Sequence, residues 1–306
     1  MKYLIFVYFI IIFTVVDAWS CNYHKMIMDV AFLQLDQDKR DFYDALFQED
    51  QDEYKSHANY RTAACWADYV KYKHIRDGKL FSGTFHFIDL HYPNDQIEYY
   101  ENHQEKLRQY YASWKHLYGR IYTKRQFLDS LRMYIHIVSD LHQPLHVFEL
   151  VNDDYPTGDK GGLKFKVLLP NRKQNKGVSL HKVYDDCGYF SKKDKDLSTP
   201  ESLSELCDSD DLGIYSVPAF VQDVKRYAHD VYETLNPGEE LSPSYIQTMR
   251  YNLHYQVCLA GKRLAFYFQE HYSEFINVMN ILMTRNMTQF EYYYIDANLY
   301  EYSQFD

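Results

Sequence analysis

A chain of 306 residues has room for one large or two ordinary domains. Its formal net charge of −10 argues against a basic groove that holds nucleic acid, unless bound cations supply positive charge locally. The 32 tyrosines in a polar chain imply amphipathic faces rather than an exclusively aliphatic core.

The first eighteen residues have the pattern of a secretory signal peptide. Lys2 is followed by an apolar run that ends in Val16-x-Ala18, a small-residue cleavage site. Cleavage after Ala18 would make Trp19 the first residue, with a free α-amino group. A retained signal anchor is the alternative. We therefore expect a protein that is secreted or held in the lumen of a secretory or lysosome-like compartment, with no membrane span after cleavage.

Five cysteines in an oxidising compartment predict two disulfides and one remaining thiol. They are Cys21, Cys65, Cys187, Cys207 and Cys258. The sequence does not fix the pairing, and the short loop between Cys187 and Cys207 makes that pair the first choice. Asn286, in Asn286-Met287-Thr288, is the candidate N-glycosylation site.

The predicted secondary structure is mainly helical. Apolar residues recur at helical spacing in Tyr23–Leu35, Arg61–Tyr72, Lys124–Leu141, Val217–Leu235 and Pro243–Tyr272. An alternating segment within residues 161–180 predicts a small hairpin. The polar stretch Ser191–Asp211 predicts an exposed loop. We expect a single helical domain over residues 19–272 and a Tyr-rich acidic tail of unassigned structure over residues 273–306.

The segment from His136 to His146 combines metal-type ligands with a helix end. His136 and Asp140 are four residues apart, so on a helix they project from one face and can bind a single cation. Pro144 cannot continue that helix, which carries His146 off the helix axis toward a second cation. His142 faces another side of the helix, where we expect it to support the structure.

Further candidate ligands lie along the chain. His181 and Asp185 form a second pair four residues apart, Asp68 lies on a predicted helix, and His86 lies in an apolar segment. His24 follows the predicted new N-terminus by five residues. Imidazoles and carboxylates without paired cysteines indicate zinc or a similar divalent ion in a catalytic rather than a structural site.

This ordered set resembles the class I zinc-dependent nucleases, the secreted single-strand nuclease and 3′-nucleotidase family. The resemblance covers roughly residues 19–270 and rests on Trp19, His24, Trp66-Ala67-Asp68, His86-Phe87-Ile88-Asp89, His136 to His146, and Leu180-His181 to Asp185. Tyr184 and Ser179 depart from the family's usual Trp and Asn, which affects local packing and no ligand. The implied fold is the helical one that these nucleases share with zinc-dependent phospholipase C.

The resemblance implies a cluster of three zinc ions. It assigns Asp68, His86, His136 and Asp140 to one ion, His146, His181 and Asp185 to a second, and His24, the other oxygen of Asp140 and the amine and carbonyl of Trp19 to a third. A peptide nitrogen at residue 19 could not bind zinc as a free amine can, so signal removal would be an activation step. Six positive charges would also make the pocket cationic within an acidic protein.

The resemblance also implies roles in catalysis. Asp68 would orient the attacking water, and Lys71, one helical turn later, would neutralise charge on the phosphoryl oxygens. Phe87 would stack on a base and Asp89 would accept hydrogen bonds from base edges, which favours single strands. We expect a monomeric endonuclease that acts on single-stranded DNA and RNA, leaves 5′-phosphate ends, and also acts on 3′-nucleotides.

Two other functions compete with this expectation. A zinc-dependent phospholipase C has a similar fold and metal arrangement, but the Trp19 to His24 spacing and Asp185 in place of Glu favour the nuclease. A secreted zinc-binding protein without catalytic activity is the other possibility. The retention of Asp68 and Lys71 argues against it.

Overall fold

The computed structural model describes residues 19–48, 57–71, 86–93, 124–170, 177–189, 196–208, 212 and 217–284. The predicted signal peptide, the glycosylation site at Asn286 and the chain after residue 284 lie outside these residues. Within them, no helix is both long and apolar enough to cross a membrane. The described chain is mainly helical with two small sheets, which confirms the predicted fold class.

The described residues form eleven helices and four short strands. The helices are α1 Cys21–Leu33, α2 Gln37–Gln48, α3 Tyr60–Ala63, α4 Trp66–Lys71, α5 Lys124–Asp140, α6 Pro144–Val147, α7 Leu180–Asp185, α8 Pro200–Ser204, α9 Val217–Tyr232, α10 Pro243–Glu270 and α11 Tyr272–Thr284. The strands are β1 Leu90–Tyr92, β2 Phe148–Leu150, β3 Lys166–Val167 and β4 Val178–Ser179.

The long helix α10 packs against α1 and forms the centre of the core. Ser242 caps its first turn by accepting a hydrogen bond from the Tyr245 N–H, and Pro243 occupies the first helical position. At Gly261 the two helices approach so closely that an added Cβ would lie 2.5 Å from a methyl carbon of Val30. This glycine therefore allows the contact that fixes α1, and with it His24, in the core.

The helix α5 ends at Asp140, as predicted from Pro144. The Gln143 side chain caps the short helix α6 by accepting a hydrogen bond from the Leu145 N–H, and Pro144 occupies its first turn. Helix α6 leads directly into β2, which pairs in parallel with β1 so that Leu90 lies opposite Phe148. The β1–β2 pair was not predicted, because three-residue strands are too short to show alternation.

The hairpin predicted within residues 161–180 is confirmed. Strand β3 pairs with β4 in antiparallel register, with Lys166 opposite Ser179, and the connecting residues 171–176 lie outside the described chain. Ser179 also caps the following helix α7 by accepting a hydrogen bond from the Lys182 N–H. The hairpin thereby leads into the helix that carries His181 and Asp185.

Three predictions of secondary structure were incomplete. The single helix predicted over Arg61–Tyr72 is two short helices, α3 and α4. The stretch Ser191–Asp211 contains helix α8, because the N-cap residue Thr199 and Ser202 form a capping box at its first turn. Helices α2 and α11 were not predicted, and α11 lies in the segment to which the sequence assigned no structure.

The predicted disulfide between Cys187 and Cys207 is wrong. Cys21 pairs with Cys65, and Cys207 pairs with Cys258 of α10. Cys187 follows the end of α7, is fully buried, and remains a free thiol. The short separation along the chain was misleading, since the fold brings Cys207 to a helix 51 residues further on.

Candidate metal centre

The fold brings the predicted ligand side chains into three adjacent groups. Each group has one donor atom per residue within 4.8 Å of the others. The first group is Asp68, His86 and His136, the second is His24, His136 and Asp140, and the third is His146, His181 and Asp185. Residues that are distant in the sequence therefore meet at the ends of α5 and α7.

The first group forms around His136 in α5. The distance between His86 Nδ1 and His136 Nε2 is 2.9 Å, and Asp140 Oδ2 lies 3.1 Å from both nitrogens. Asp68 Oδ1 lies slightly further away, at 3.7 Å from His136 Nε2. His136 Nδ1 donates to the Ala64 carbonyl at 2.7 Å, so Nε2 is the ring nitrogen that faces the group and is available to a cation.

The second group joins His24 of α1 to the other oxygen of Asp140. His24 Nε2 lies 3.4 Å from Asp140 Oδ1, and the His24 ring stacks on His136 with centroids 4.1 Å apart. Neither His24 ring nitrogen nor Asp140 Oδ1 has a hydrogen-bond partner among the described residues. A buried polar atom without a partner is costly, and a bound cation would remove that cost.

Trp19 lies beside this second group. Its indole N–H donates to the Ser139 carbonyl at 3.0 Å, and the adjacent Ser20 N–H donates to the Asp185 carbonyl at 3.1 Å. Trp19 is completely buried. These two hydrogen bonds hold Trp19 and Ser20 between the ends of α5 and α7.

The third group contains His146, His181 and Asp185. His146 Nε2 lies 3.4 Å from Asp185 Oδ1, and His181 Nε2 lies 3.4 Å from Asp185 Oδ2. The two imidazole rings are stacked. Gln143 donates to the same carboxylate at 2.9 Å. His146 Nδ1 donates to the His86 carbonyl at 2.8 Å, and His181 Nδ1 donates to the Gly161 carbonyl at 2.6 Å. Both Nε2 atoms are therefore left facing the group.

Without a cation, opposing effects govern the charges of the site. Burial lowers the pKa of His86 to about 4, although the Asp140 carboxylate opposes this shift. Burial also acts on His146, but Asp140 and Asp185 outweigh it and raise the pKa of His146 to about 10. The facing histidines hold the pKa of Asp140 well below its usual value despite burial. The site therefore stabilises positive charge around Asp140, and metal ions would displace protons there.

The donor atoms fit zinc or a similar divalent ion. Each group offers imidazole nitrogens and carboxylate oxygens, and none of the three includes a cysteine. Buried ligand atoms of His24, Asp140 and His181 have no hydrogen-bond partner among the described residues. This donor set is typical of catalytic rather than structural zinc sites.

The predicted substrate-contacting residues lie next to these groups. The Ile88 N–H donates to the His146 carbonyl at 2.8 Å, which places the flanking residues Phe87 and Asp89 beside the third group. Both side chains are partly exposed, and Asp89 has a backbone φ of 55°. Lys71 is the last residue of α4, and its side chain lies outside the described part of the structure.

His142 points away from the three groups, as expected. Its Nδ1 donates to the Val138 carbonyl at 2.7 Å, and its Nε2 accepts from the buried Arg263 guanidinium at 2.7 Å. The backbone carbonyls that orient the ligand histidines were not predicted, because every residue carries a carbonyl and its type gives no signal. The glycines around Gly161 were the one available indication, because they permit close backbone approach.

Comparison with known proteins identifies a family. The family model described as S1/P1 Nuclease matches residues 19–273, which is more than half of the chain. The match begins at Trp19, the residue after the predicted cleavage site. The comparison with proteins of curated function finds no match.

Proposed function

Because the chain belongs to the S1/P1 nuclease family, we propose that it is a zinc-dependent endonuclease that cleaves single-stranded DNA and RNA and leaves 5′-phosphate ends. We propose 3′-nucleotidase activity in addition. Family membership implies a hydrolase of the nuclease type. The observation that carries the finer proposal is the hydrogen bond between Ile88 and His146, which joins the Phe87–Asp89 segment to the three His/Asp groups.

The proposed cofactor is three zinc ions. Asp68, His86, His136 and Asp140 would hold one, His146, His181 and Asp185 a second, and Trp19, His24 and Asp140 a third. The orphaned donor atoms of His24, Asp140 and His181 support this assignment. When bound, zinc would supply Lewis-acid activation of the attacking water and stabilisation of the departing 3′ oxygen.

The chain's own residues would position the reactants. Asp68 is the most exposed carboxylate of the three groups and would hold the attacking water by accepting its hydrogen bond. Lys71 follows on the same short helix and would neutralise charge on the phosphoryl oxygens. Both roles require the phosphodiester to lie at the solvent side of the first group.

Substrate selection would depend on the Phe87–Asp89 segment. The partly exposed Phe87 ring would stack on a base, and Asp89 would accept hydrogen bonds from base edges. A duplex hides the faces of its bases, so the proposed binding mode selects single strands. The zinc charges would attract phosphate although the protein is acidic.

We propose that the nuclease domain spans residues 19–272, acts as a monomer and is secreted or lumenal. The disulfides Cys21–Cys65 and Cys207–Cys258 are compatible with an oxidising compartment. In this proposal, signal cleavage before Trp19 frees the α-amine that completes the zinc site of His24 and Asp140.

The test uses protein that begins at Trp19 and is purified with zinc. We expect cleavage of a single-stranded oligonucleotide to 5′-phosphate products and much slower cleavage of its duplex. Asp185→Asn should lose this activity, whereas Asp41→Asn, an exposed carboxylate on α2, serves as the matched control. Cleavage of phosphatidylcholine but not of nucleic acid would support a phospholipase instead. Full zinc content without cleavage of either would indicate an inactive zinc-binding relative.

A further inference from the structure

A buried carboxylate near the third group has no part in the proposed mechanism. Asp159 has a relative exposure of 0%. It accepts hydrogen bonds from the Leu150 N–H at 2.9 Å, from the Tyr232 hydroxyl at 3.0 Å, and from the Gly162 N–H. A buried charge is tolerated only when it is well hydrogen-bonded, and three donors meet that need here.

These hydrogen bonds anchor the loop of residues 158–162 to the rest of the fold. Leu150 belongs to β2, which directly follows the helix that carries His146, and Tyr232 ends α9. The Asp159 N–H also donates to the Leu150 carbonyl at 3.0 Å. The loop is therefore fixed to the same strand as the His146 side of the metal centre.

Where the anchored loop contacts Leu145 and His181, its backbone conformation and close approach permit only small residues. Gly161 and Gly162 have φ values of 54° and 80°. A Cβ added at Gly161 would lie 2.2 Å from the Leu145 carbonyl oxygen, and one at Gly162 would lie 3.0 Å from the His181 N–H nitrogen. The loop thus passes between the residue before His146 and the start of α7.

This close passage delivers a carbonyl to a ligand histidine. The Gly161 carbonyl accepts from His181 Nδ1 at 2.6 Å, and the Gly162 carbonyl accepts from the His181 backbone N–H at 3.3 Å. The first bond places the proton on Nδ1, so Nε2 faces the group as an unprotonated donor with no hydrogen-bond partner among the described residues. Such outer hydrogen bonds orient metal ligands and raise their basicity.

We propose that Asp159 is a positioning residue for the ion held by His146, His181 and Asp185. It acts by fixing the Gly161 carbonyl against His181, and it touches neither the ion nor the substrate. This inference rests on the proposed zinc function. In this inference, the segment from Asp159 to Gly162 positions a ligand of one of the three ions and of neither other ion.

The test replaces Asp159 with Asn. An amide has one oxygen acceptor where the carboxylate has two, so at least one of the three donors at this position loses its partner. We expect Asp159→Asn to release one of the three zinc ions at about 10- to 100-fold lower chelator concentration than the wild type, with the other two retained. The kcat for a single-stranded oligonucleotide should fall while its KM changes little.

A matched variant separates positioning from general destabilisation. The Tyr43 hydroxyl donates to the Phe268 carbonyl at 2.6 Å in the core, away from the three groups. Tyr43→Phe should lower the midpoint of urea unfolding and leave the release of all three ions unchanged. If Tyr43→Phe weakens the same single ion, the effect of Asp159→Asn reflects stability and the proposal is wrong.

A double-mutant cycle identifies the route of the effect. His181→Asn removes the ligand itself, so Asp159→Asn added to it should cause no further loss of zinc affinity. If the two losses add, Asp159 does not act through His181. Tyr232→Phe removes one donor to the carboxylate and gives a milder second variant, expected to weaken the same ion to a smaller extent.

The outcome also distinguishes this inference from the proposed function. Wild-type protein that binds three zinc ions and cleaves single strands, together with an Asp159→Asn variant of unchanged zinc affinity, overturns the positioning role alone. Wild-type protein that binds no zinc overturns the proposed function and this inference with it.

Discussion

The indole N–H of Trp19 donates to the backbone carbonyl of Ser139 at 3.0 Å. Ser139 directly precedes Asp140, whose Oδ2 faces His86 of the first group while its Oδ1 faces His24 of the second. The side chain of residue 19 therefore anchors its own backbone next to the second group. In the proposed nuclease this contact holds the freed α-amine in place, so the position of signal cleavage and the metal content of the enzyme are linked.

A protein that retains Ala18 should lack one zinc ion. The nitrogen of Trp19 would then be a peptide nitrogen, which is a poor zinc ligand. We expect two zinc ions by elemental analysis instead of three, and cleavage of single-stranded DNA reduced by about 100-fold or more. Trp19→Phe with the native start keeps the amine, so it should keep three ions and lose about 1–3 kcal/mol of unfolding free energy with the hydrogen bond to Ser139. Three ions in the extended protein would contradict the assignment.

Replacement of Asp140 should remove more metal than replacement of Asp185. Asp140 Oδ2 lies 3.1 Å from His136 Nε2, while Oδ1 lies 3.4 Å from His24 Nε2, so its two oxygens serve two groups. Asp185 belongs to one group. We expect Asp140→Asn to lose two zinc ions and Asp185→Asn to lose one, measured by elemental analysis after dialysis against zinc-free buffer. Equal losses in the two variants would rule out the sharing of Asp140.

The side chains of the site were predictable because their chemistry and spacing are both visible in the sequence. His136 with Asp140 and His181 with Asp185 share the spacing of one helical face, and the structure places each pair on a helix. The fold brings Asp68, His24 and His86 to these pairs. That these residues hold zinc stays a prediction.

The remainder depends on contacts that residue type does not encode. The carbonyls of Ala64 and Gly161 orient His136 and His181, yet any residue could supply a carbonyl at those positions. The pairing of Cys207 with Cys258 depends on how the segment before α9 meets α10, and chain separation gave the wrong partner. The longest periodic helices, α5, α9 and α10, were predictable, whereas short helices such as α3 and α4 were merged and the mid-length helices α2 and α11 were missed.

The cysteine pairing predicts different thiol counts in two variants. Alkylation of the denatured, unreduced wild type should modify one thiol, that of Cys187. Cys187→Ala should show none, and Cys258→Ala should show two, because Cys207 loses its partner. Loss of the 51-residue cross-link should lower the free energy of unfolding by up to about 4 kcal/mol. Modification of Cys207 in the wild type, located by peptide mass analysis, would contradict the pairing.

Asp196 should make stability fall at acid pH. Burial opposes its ionisation, but hydrogen bonds from His254, the Ser198 N–H and Tyr23 outweigh burial and lower its pKa below 3.8. The unfolded carboxylate then binds a proton at a higher pH than the folded one. The stabilisation is therefore complete above about pH 4 and is lost as the pH falls from there through the lower, folded-state pKa.

The measurement compares Asp196→Asn with the wild type by urea unfolding between pH 7 and pH 2.5. Both proteins are treated with the same chelator, so that zinc release at low pH contributes equally. We expect the wild type to be more stable than the variant near neutrality and the difference to shrink below about pH 4. A difference that stays constant over this range would show that Asp196 does not titrate with folding.

Phe87 should contribute to substrate binding and not to metal binding. Its ring is partly exposed next to Ile88, which is hydrogen-bonded to His146. Stacking on a base is worth about 1–3 kcal/mol, so Phe87→Ala should lower kcat/KM for a single-stranded oligonucleotide by about 5- to 150-fold. Phe87→Trp retains a stacking surface and should retain most of the activity.

Zinc content should be unchanged in both variants, and cleavage of an abasic oligonucleotide should be equal in Phe87→Ala and the wild type. If Phe87→Ala slows the abasic substrate as much as the ordinary one, the ring supports the site's structure and does not bind bases.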